Sequence, residues 1–236
     1  MCGRYVLEGP VSRLTTYFDA RYTKDESLFK NSYNIAPTTQ VPVVRINREG
    51  ERVILNHVWG LIPHWSKDKT VSAKLNNARG ETVHEKPSFR AAFRKFRCLI
   101  PASGYYEWQT PPEGSGRRKQ PFYIYPNETP YFAMAGVCDH WIDKMSGELV
   151  MSTAIITTEP CEKLKQVHDR MPVMIPKGDW AEWLDPKNQD LTLLRQFVLS
   201  DDAVNFHAVG FGVSGAGRNR VDSKALIEPR DPTLSE

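Results

Sequence analysis

The chain has 236 residues, of which 40% are hydrophobic, 11% aromatic and 25% charged, and its formal net charge is +3. This composition excludes a disordered, collagen-like or coiled-coil protein, and the length is sufficient to bury a core without disulfides or a structural metal. No linker divides the sequence, so we predict a single domain over residues 1–236.

The cysteines form no recognisable framework. Cys2, Cys98, Cys138 and Cys161 are far apart, with no CxxC pair and no histidine spacing that would complete a zinc site, so we expect neither disulfides nor a metal. The N-terminus MCGRYVLEG has no charged segment leading into an apolar run, and no stretch approaches the roughly 18 apolar residues of a membrane span. We therefore expect a cytoplasmic protein without a membrane partner.

Short segments rich in aromatic and β-branched residues, bounded by Gly, Pro or Asn, dominate the sequence and predict strands. In chain order they lie at 2–7, 40–46, 52–59, 97–101, 104–109, 121–125, 131–138, 149–158 and 171–175. Weaker patterns predict helices at 10–17, 88–96, 159–166, 177–184 and 190–199. The stretch TPPEGSGRRKQP at 110–121 is typical of an exposed hairpin loop.

The order of these elements predicts the fold class. Strands outnumber helices and rarely alternate with them, which argues against a doubly wound parallel sheet. We predict an α+β fold with a mainly antiparallel, strongly curved, barrel-like β-sheet flanked by short helices.

Positive charge is concentrated between residues 72 and 98, where seven basic side chains face only Glu81 and Glu85. A solvated helix face is the ordinary interpretation of such a cluster, and the net charge of the whole chain is too small to indicate nucleic-acid binding by itself. The basic residues are Lys74, Arg79, Lys86, Arg90, Arg94, Lys95 and Arg97.

Cys2 follows the initiator methionine, and its small side chain permits removal of that methionine, which would make Cys2 the N-terminus. An α-amine has a pKa of about 7.7 to 8.0 against about 10.4 for lysine, so it forms imines more readily at neutral pH. The thiol is spaced to close a five-membered thiazolidine ring on an aldehyde carbon. An N-terminal Cys thus suits aldehyde capture, although position alone favours a small residue with no chemical role.

Two ionisable side chains could move the protons that such a reaction needs. Glu107 lies in GYYEW, where bulky neighbours could raise the pKa of its carboxyl group, and a surface glutamate at a strand end is the alternative. His168 lies in HDRMPV between a predicted helix and a predicted strand, where polar side chains often line a site. A capping or core-packed histidine is the alternative there.

Other side chains suit nucleic-acid contacts. In two places a polar side chain is followed two residues later by an arginine, whose guanidinium can bind phosphate. These pairs are His168 with Arg170 and Asn77 with Arg79. The indoles of Trp65 and Trp108 could stack on bases, although burial is the commoner fate of tryptophan.

Taken together, six segments resemble the SRAP (SOS response-associated peptidase) family. They are MCGR at the start, SYNIAPT at 32–38, WGLIPHW at 59–65, NARGET at 77–82, IPASGYYEW at 100–108 and HDRMPV at 168–173. The resemblance extends from residue 2 to ALIEP at 225–229. Members of this family are abasic-site processing proteins that crosslink to DNA.

The resemblance implies that Met1 is removed and that mature Cys2 then captures the ring-opened aldehyde of an abasic site in single-stranded DNA. The product would be a thiazolidine, which would protect the lesion during the DNA damage response. It implies catalytic roles for Asn77, which orients the amine or a sugar hydroxyl, for Glu107 as general acid and base, and for His168 in ring opening. It also implies abasic-site lyase and self-processing peptidase activities. We expect a monomer without a cofactor, associated with the nucleoid when bound to DNA.

The resemblance further implies which residues contact DNA. Arginines would bind phosphates, Pro37 would wedge between bases, and the basic segment would form one wall of a groove. Because side chains alternate along a strand, Glu107 and Trp108 can serve one site only if the strand ends or bulges there. The implied DNA contacts are Arg4, Pro37, Trp65, Arg79, Trp108 and Arg170.

The sequence departs from the family pattern at two places. Gly80 follows NAR where the family more often has a bulkier residue, which loosens the turn behind Arg79. The segment GFGVSGAGRNRVDSK at 210–224 is richer in glycine than the family pattern predicts. Neither departure affects the proposed chemistry.

Two other functions remain open from the residues. A cysteine hydrolase would use Cys2 as nucleophile and His168 as base, with Asn77 or Glu107 as the orienting group, and would need only the thiol. A non-catalytic single-strand binding module would use the basic segment and the tryptophans, and would bind intact and abasic strands equally.

Overall fold

The computed structural model describes residues 2–190, 192, 196–197, 199–215, 217 and 220–230. Over these residues the chain forms many strands and a few short helices. The strands are β1 (Arg4–Leu7), β2 (Arg21–Tyr22), β3 (Ser32–Ile35), β4 (Gln40–Ile46), β5 (Arg52–Trp59), β6 (Asn77–Arg79), β7 (Arg97–Ala102), β8 (Gly104–Gln109), β9 (Gln120–Pro126), β10 (Phe132–Ile142), β11 (Leu149–Thr158), β12 (Met171–Pro172) and β13 (Val204–Ala208). The α-helices are α1 (Val11–Phe18), α2 (Arg90–Lys95) and α3 (Trp180–Leu184).

Five of the strands close into a barrel. In the order β11, β10, β7, β4 and β5, each strand pairs antiparallel with the next. The ring closes because β5 also pairs in parallel with β11, at Val58 with Ser152 and at Trp59 with Thr153. Closure satisfies the backbone groups that an open sheet would leave at its edges.

The C-terminal residues of β11 extend beyond this ring and carry a further strand on each edge. Where β5 ends, β6 takes its place in parallel, with Asn77 opposite Ile155. On the other edge β12 pairs antiparallel, with Pro172 opposite Thr157. This extension of β11 positions the segments that carry the candidate site.

A second, antiparallel sheet has the order β13, β9, β8, β1 and β3. Its side chains alternate between two faces. Tyr5 of β1 packs on Trp59 of the barrel, with ring centroids 5.3 Å apart. Val6, Tyr106 and Tyr123 lie on the other face in a small separate cluster. One face of this sheet therefore closes the main core.

The helices flank the sheets. The apolar positions of α1 bury Leu14 and Phe18, and the Phe18 ring stacks on Trp180 of α3 with centroids 4.9 Å apart. In the part of the chain described here, no helix combines the length and apolar character that crossing a bilayer requires.

The structure confirms the predicted α+β class with a barrel-like, mainly antiparallel sheet and short flanking helices. Each predicted strand corresponds to an observed one. The predicted loop is also confirmed, since residues 110–119 connect β8 to β9 as an exposed hairpin loop.

Several elements differ from the prediction. The pattern of aromatic and β-branched residues does not predict β2, β3, β6 or β13. These strands are short, and pairing with neighbouring strands stabilises them more than the preferences of their own residues. The predicted helix 159–166 is only a 3-10 turn at Glu162–Leu164, and the one over 177–184 begins with a 3-10 turn before α3. Within the predicted helix 190–199, residues 191, 193–195 and 198 lie outside the described residues.

Arg97 corrects the expectation that all seven basic residues of segment 72–98 form a wall of a DNA groove. Its side chain is buried, with 5% exposed. The guanidinium donates to four backbone carbonyls, those of Phe93, Trp183, Asp185 and Asn188, at 2.6 to 3.1 Å. Arg97 therefore holds the chain around α3 against β7, and only the other six basic residues of the segment are exposed.

Gly60 follows β5 at a close approach between two backbones. Its φ is +132°, a conformation that L side chains rarely adopt. A Cβ at this position would lie 2.3 Å from the carbonyl oxygen of Ser72. The Gly60 N–H donates to the carbonyl of Thr153 in β11 at 2.8 Å, so this glycine fixes the exit of β5 beside the site-bearing strand.

We expect Gly60→Ala to lower the free energy of unfolding by about 3 kcal/mol, because it combines backbone strain with a clash against a carbonyl that cannot rotate away. Urea unfolding followed by tryptophan fluorescence measures this. The control is Gly50→Ala, which has φ +82° but no atom within 4 Å of the added Cβ. It should lose only about 1 kcal/mol. Equal losses in the two variants would contradict the role of the Ser72 contact.

Candidate active site

Cys2 lies two residues before the start of β1 at Arg4 and is completely buried. Its Sγ lies 3.9 Å from the backbone carbonyl oxygen of Arg4. Burial raises the pKa of the thiol well above its usual range, and the nearby Glu107 carboxylate adds to the shift. The thiol is therefore neutral at physiological pH and needs a base before it can act as a nucleophile.

Asn77 holds the backbone of Cys2. It is the first residue of β6, whose parallel pairing with β11 fixes its position. The side-chain Nδ2 donates to the carbonyl oxygen of Cys2 at 2.8 Å. The Oδ1 atom of the same amide is buried and accepts no hydrogen bond from the described residues. The amide thus binds Cys2 through one end and offers an acceptor at the other.

Glu107 lies in β8, which runs between β1 and β9. Strand alternation places it on the same face as Tyr105, which belongs to the main core, so its carboxyl group is only 2% exposed. Burial raises the pKa of this carboxyl group to about 7. Both protonation states are therefore populated near neutral pH, as general acid and base chemistry requires.

His168 completes the arrangement. Its Nε2 lies 3.6 Å from Oε2 of Glu107. The backbone N–H of Arg170 donates to Nδ1 at 3.0 Å, which places the proton of the neutral ring on Nε2, towards the carboxyl group. The Asp169 carboxylate also lies 2.9 Å from Nδ1, but it is 87% exposed, so water competes for it. Burial lowers the pKa of His168, which favours the neutral ring.

The structure thus links all four predicted catalytic residues by neighbouring contacts. Asn77 bonds to Cys2, the charge of Glu107 acts on the Cys2 thiol, and Glu107 faces His168. Among the described residues, no group of three His, Cys, Asp or Glu side chains has the geometry to hold a metal ion. Their roles in catalysis stay predictions.

Two tyrosines at this site are missed by the sequence reasoning. The hydroxyl groups of Tyr5 and Tyr105 are buried and have no hydrogen-bond partner among the described residues. Burial raises the pKa of both hydroxyls, and an electrostatic interaction with Cys2 adds to each shift, which indicates that both lie near this side chain. Tyr105 stands two residues before Glu107, and strand alternation alone would have placed it on the same face.

Of the predicted phosphate ligands, Arg79 is exposed at the end of β6. Arg170 instead makes a bidentate ion pair with Glu81, at 2.6 and 2.8 Å, and donates to the carbonyl of Thr157 at 2.7 Å. Arg4 is half-buried and donates to the carbonyl of Gly215 at 3.1 Å. The three guanidinium groups therefore differ strongly in their availability.

The predicted base-contacting residues also differ. Trp65 is 57% exposed. Trp108 lies on the face of β8 opposite to Glu107, where its indole N–H donates to the Ser214 hydroxyl at 3.0 Å. No bulge resolves the expected conflict between these neighbours, because the β8–β9 register stays regular through both. Trp108 therefore does not share the pocket face of Glu107.

Pro37 occupies the second position of a tight turn after β3. Thr38, at the third position, has φ +70°, and its N–H donates to the carbonyl of Trp59 at 2.7 Å. A β-branched residue in the left-handed region is strained, and such strain often marks a functional turn. The sequence gives a signal for Pro37 but none for the conformation of Thr38.

Comparison with known proteins adds independent information. Residues 1–214 match the family described as SOS response associated peptidase (SRAP). The abasic site processing protein YoaM of Bacillus subtilis is 36% identical over 208 residues, which cover 88% of this chain and 89% of YoaM. The abasic site processing protein HMCES of Xenopus tropicalis is 29% identical over an alignment that covers 100% of this chain and 82% of HMCES.

Solved structures with the same fold are also known. A protein from Bacteroides thetaiotaomicron superposes with a TM-score of 0.84 at 23% identity, covering 97% of this chain and 100% of the other. A protein from Bordetella bronchiseptica superposes with a TM-score of 0.72 at 25% identity, covering 89% of this chain and 100% of the other.

The raised pKa of Glu107 makes stability depend on pH. Burial penalises the ionised carboxylate, so the penalty is absent below the ordinary pKa of 4.5 and complete above about 7. Glu107→Gln should therefore have little effect at pH 4 and should stabilise the protein by up to about 3 kcal/mol at pH 8. Chemical denaturation across this pH range measures the difference.

Glu113→Gln serves as the control, because Glu113 is exposed in the 110–119 loop. It removes the same charge without removing a buried carboxylate, so it reports the effect of net charge alone. An equal pH dependence for wild type and Glu107→Gln would show that the carboxyl group is not perturbed.

Proposed function

Because this chain belongs to the SOS response-associated peptidase (SRAP) family, we propose that it processes abasic sites in single-stranded DNA by capturing their ring-opened aldehyde on Cys2. Curated relatives over most of the chain carry the name abasic site processing protein. The observation that carries the proposal is the amide of Asn77 bound to the Cys2 carbonyl beside a carboxyl group whose pKa is about 7.

The first step is hydrolysis of the bond between Met1 and Cys2, which frees the α-amine of Cys2. Met1 lies outside the described residues. The nitrogen of this amine is the backbone nitrogen of Cys2, which forms the peptide bond to Met1 before hydrolysis. The hydrogen bond from Asn77 to the carbonyl oxygen of Cys2 keeps the residue in place. The buried Oδ1 of Asn77 is available to accept a hydrogen bond from this amine or from a sugar hydroxyl.

The amine then adds to the aldehyde carbon of the lesion and gives a carbinolamine. Loss of the hydroxyl group as water needs a proton donor, and Glu107 supplies that proton in its neutral form. Because its pKa is about 7, a large fraction of Glu107 is protonated at neutral pH. The product is an imine between Cys2 and the opened sugar.

Ring closure consumes the imine. The Cys2 sulfur adds to the imine carbon, a carbon–sulfur bond forms, and the thiol proton moves to the nitrogen by way of Glu107 or His168. One aldehyde and one cysteine thus become a thiazolidine and one water, with no change in oxidation state. The neutral His168 ring, with Nε2 towards Glu107, can pass this proton between the two groups.

The same intermediates support the finer activities expected of this protein. Elimination of the 3′ phosphate from the imine would cleave the strand, and this is the abasic-site lyase reaction. Protonation of the thiazolidine by Glu107 or His168 would reopen it and reverse the crosslink. Removal of Met1 by the site itself would be the self-processing peptidase activity. Formation of the thiazolidine ring competes with cleavage and would protect the lesion during the DNA damage response.

The DNA strand would lie along exposed groups of the protein surface. Arg79 is free to bind a phosphate, and the exposed indole of Trp65 offers a stacking surface for a base. Arg170 and Arg4 would bind phosphates by exchanging their present partners. Pro37, in its strained turn, would separate two bases, whereas Trp108 would contact only a strand that reaches the other face of β8. The protein would act in the cytoplasm as a monomer on the nucleoid.

Incubation with an abasic single strand, followed by denaturing electrophoresis and intact-protein mass spectrometry, tests the proposal. The wild type should lose Met1 and gain the mass of the strand minus one water. Cys2→Ala should form no stable adduct, because it lacks the sulfur that traps the imine. Cys161→Ser is the matched control, since Cys161 is half-buried whereas Cys2, Cys98 and Cys138 are buried, and it should crosslink like the wild type.

Other results would identify the alternatives. A stable adduct with Cys2→Ala would contradict capture by the thiol. Peptide cleavage by protein that retains Met1 would favour a cysteine hydrolase. Equal and fully reversible binding of intact and abasic strands would favour a simple binding module.

The ion pair between Arg170 and Glu81 generates a second prediction. If Arg170 binds a DNA phosphate, Glu81 competes for the same fork of the guanidinium. Glu81→Gln should therefore strengthen binding of an undamaged single strand at least about threefold at fixed ionic strength, as measured by fluorescence anisotropy.

Glu85→Gln is the control for this change, because Glu85 is exposed in the same segment and contacts His84 rather than an arginine. It removes the same charge but frees no guanidinium, so its effect should be smaller. Equal gains in affinity for the two variants would show that only net charge matters and that Arg170 does not contact the strand.

A further inference from the structure

A cavity of about 410 Å³ lies at the end of the barrel away from the candidate active site. The cavity lies beside the end of β4, the start of β7 and the connection between β10 and β11. Its lining residues include Arg45, Lys95, His140 and Leu149. Asn77 pairs with Ile155, six residues further along β11 than Leu149, so about 20 Å of strand separates the two places. The cavity is therefore distinct from the Cys2 site.

Apart from Arg97, whose guanidinium donates to backbone carbonyls, three cations line this cavity without a carboxylate partner among the described residues. Arg45, Arg48 and Lys95 line it, and in the part of the chain that the structure describes none of them has a carboxylate within 4.0 Å. The Nε of Arg45 is buried and has no hydrogen-bond partner among the described residues. A buried guanidinium N–H without an acceptor is unfavourable, and an acceptor at this site would remove that cost.

The one acid that lines the cavity does not supply that anion. Asp139 is 5% exposed, and its Oδ2 accepts hydrogen bonds from the backbone N–H and the ring of His64, both at 3.0 Å. Its Oδ1 accepts the backbone N–H of His140 at 2.8 Å. Both carboxylate oxygens are therefore occupied on the histidine side, and the lining cations outnumber this single carboxylate.

Most of the remaining lining is apolar. Phe96 is 37% exposed and Leu149 is 58% exposed, so both side chains present apolar surface at the cavity. Guanidinium groups suit the bidentate binding of phosphate, and an aromatic ring suits a planar base. A volume of about 410 Å³ accommodates one nucleotide.

We propose that this barrel-end cavity is a second ligand site that binds a phosphate group carried on a body of nucleotide size. Arg45 and Arg48 would hold the phosphate, and Phe96 would cover the base or sugar. The phosphate could belong to a free nucleotide or to a DNA strand, and both sources share this chemistry. The site does not depend on covalent capture at Cys2.

Titration of isotope-labelled full-length protein, followed by NMR of the backbone amides, tests this site. The probes are dTMP, inorganic phosphate and thymidine, each up to about 10 mM. The amides of Asn47, Phe96 and His140 should shift with dTMP and with phosphate but not with thymidine. The double variant Arg45→Gln/Arg48→Gln should bind dTMP at least about tenfold more weakly, because two charge-assisted contacts are lost.

The control variant Lys24→Gln/Lys30→Gln removes the same charge at two exposed residues that do not line the cavity. It should bind dTMP like the wild type. If the arginine variant does not fold, Lys95→Gln replaces it, with a smaller loss expected. Absence of shifts at the cavity, or equal weakening by the control and arginine variants, would overturn the proposal.

An undamaged strand of about ten thymidines separates the two phosphate sources. Shifts of the same amides by this strand, lost in the arginine variant, would assign the site to DNA. Shifts by dTMP alone would assign it to a free nucleotide. Crosslinking of abasic DNA should persist in the arginine variant, so failure of this inference and failure of the proposed function are distinguishable.

Discussion

The pairing of β11 with strands on both of its edges is the constraint on which the rest of the structure depends. Near its middle, β11 closes the barrel by parallel pairing with β5. Towards its end, the same strand carries β6 on one edge and β12 on the other. β6 begins with Asn77, and the residues just before β12 include His168 and Arg170. Two segments distant in sequence therefore reach the same place because one strand pairs with both.

Burial then determines the chemistry of the groups that meet there. The same low-polarity surroundings raise the pKa of Glu107 into the neutral range and raise the pKa of the Cys2 thiol out of it. A site built for attack by a thiolate would instead need a positive group that lowers the pKa of the thiol. This environment agrees with the proposed mechanism, in which Glu107 acts as acid and base and the sulfur reacts only after the nitrogen has bound the substrate.

Much of this arrangement can be predicted from the sequence. Strand patterns and turn residues predict the main strands, and alternation along GYYEW predicts that Glu107 and Trp108 point to opposite faces, as they do. Features that depend on distant partners are not predictable. β6 is too short to have a pattern of its own, and nothing in the residues near Arg97 reveals that four carbonyl groups surround its guanidinium. The partner of Arg170 is likewise visible only in three dimensions.

The bidentate pair of Glu81 with Arg170 has a thermodynamic consequence for nucleic-acid binding. A cation that is already neutralised by its own carboxylate releases no condensed counterion from DNA unless that carboxylate first departs into solvent. The salt dependence of binding should therefore be shallower than a count of arginines near the strand suggests. If Arg170 binds a phosphate as proposed, Glu81 occupies the place of that phosphate beforehand and keeps the guanidinium oriented.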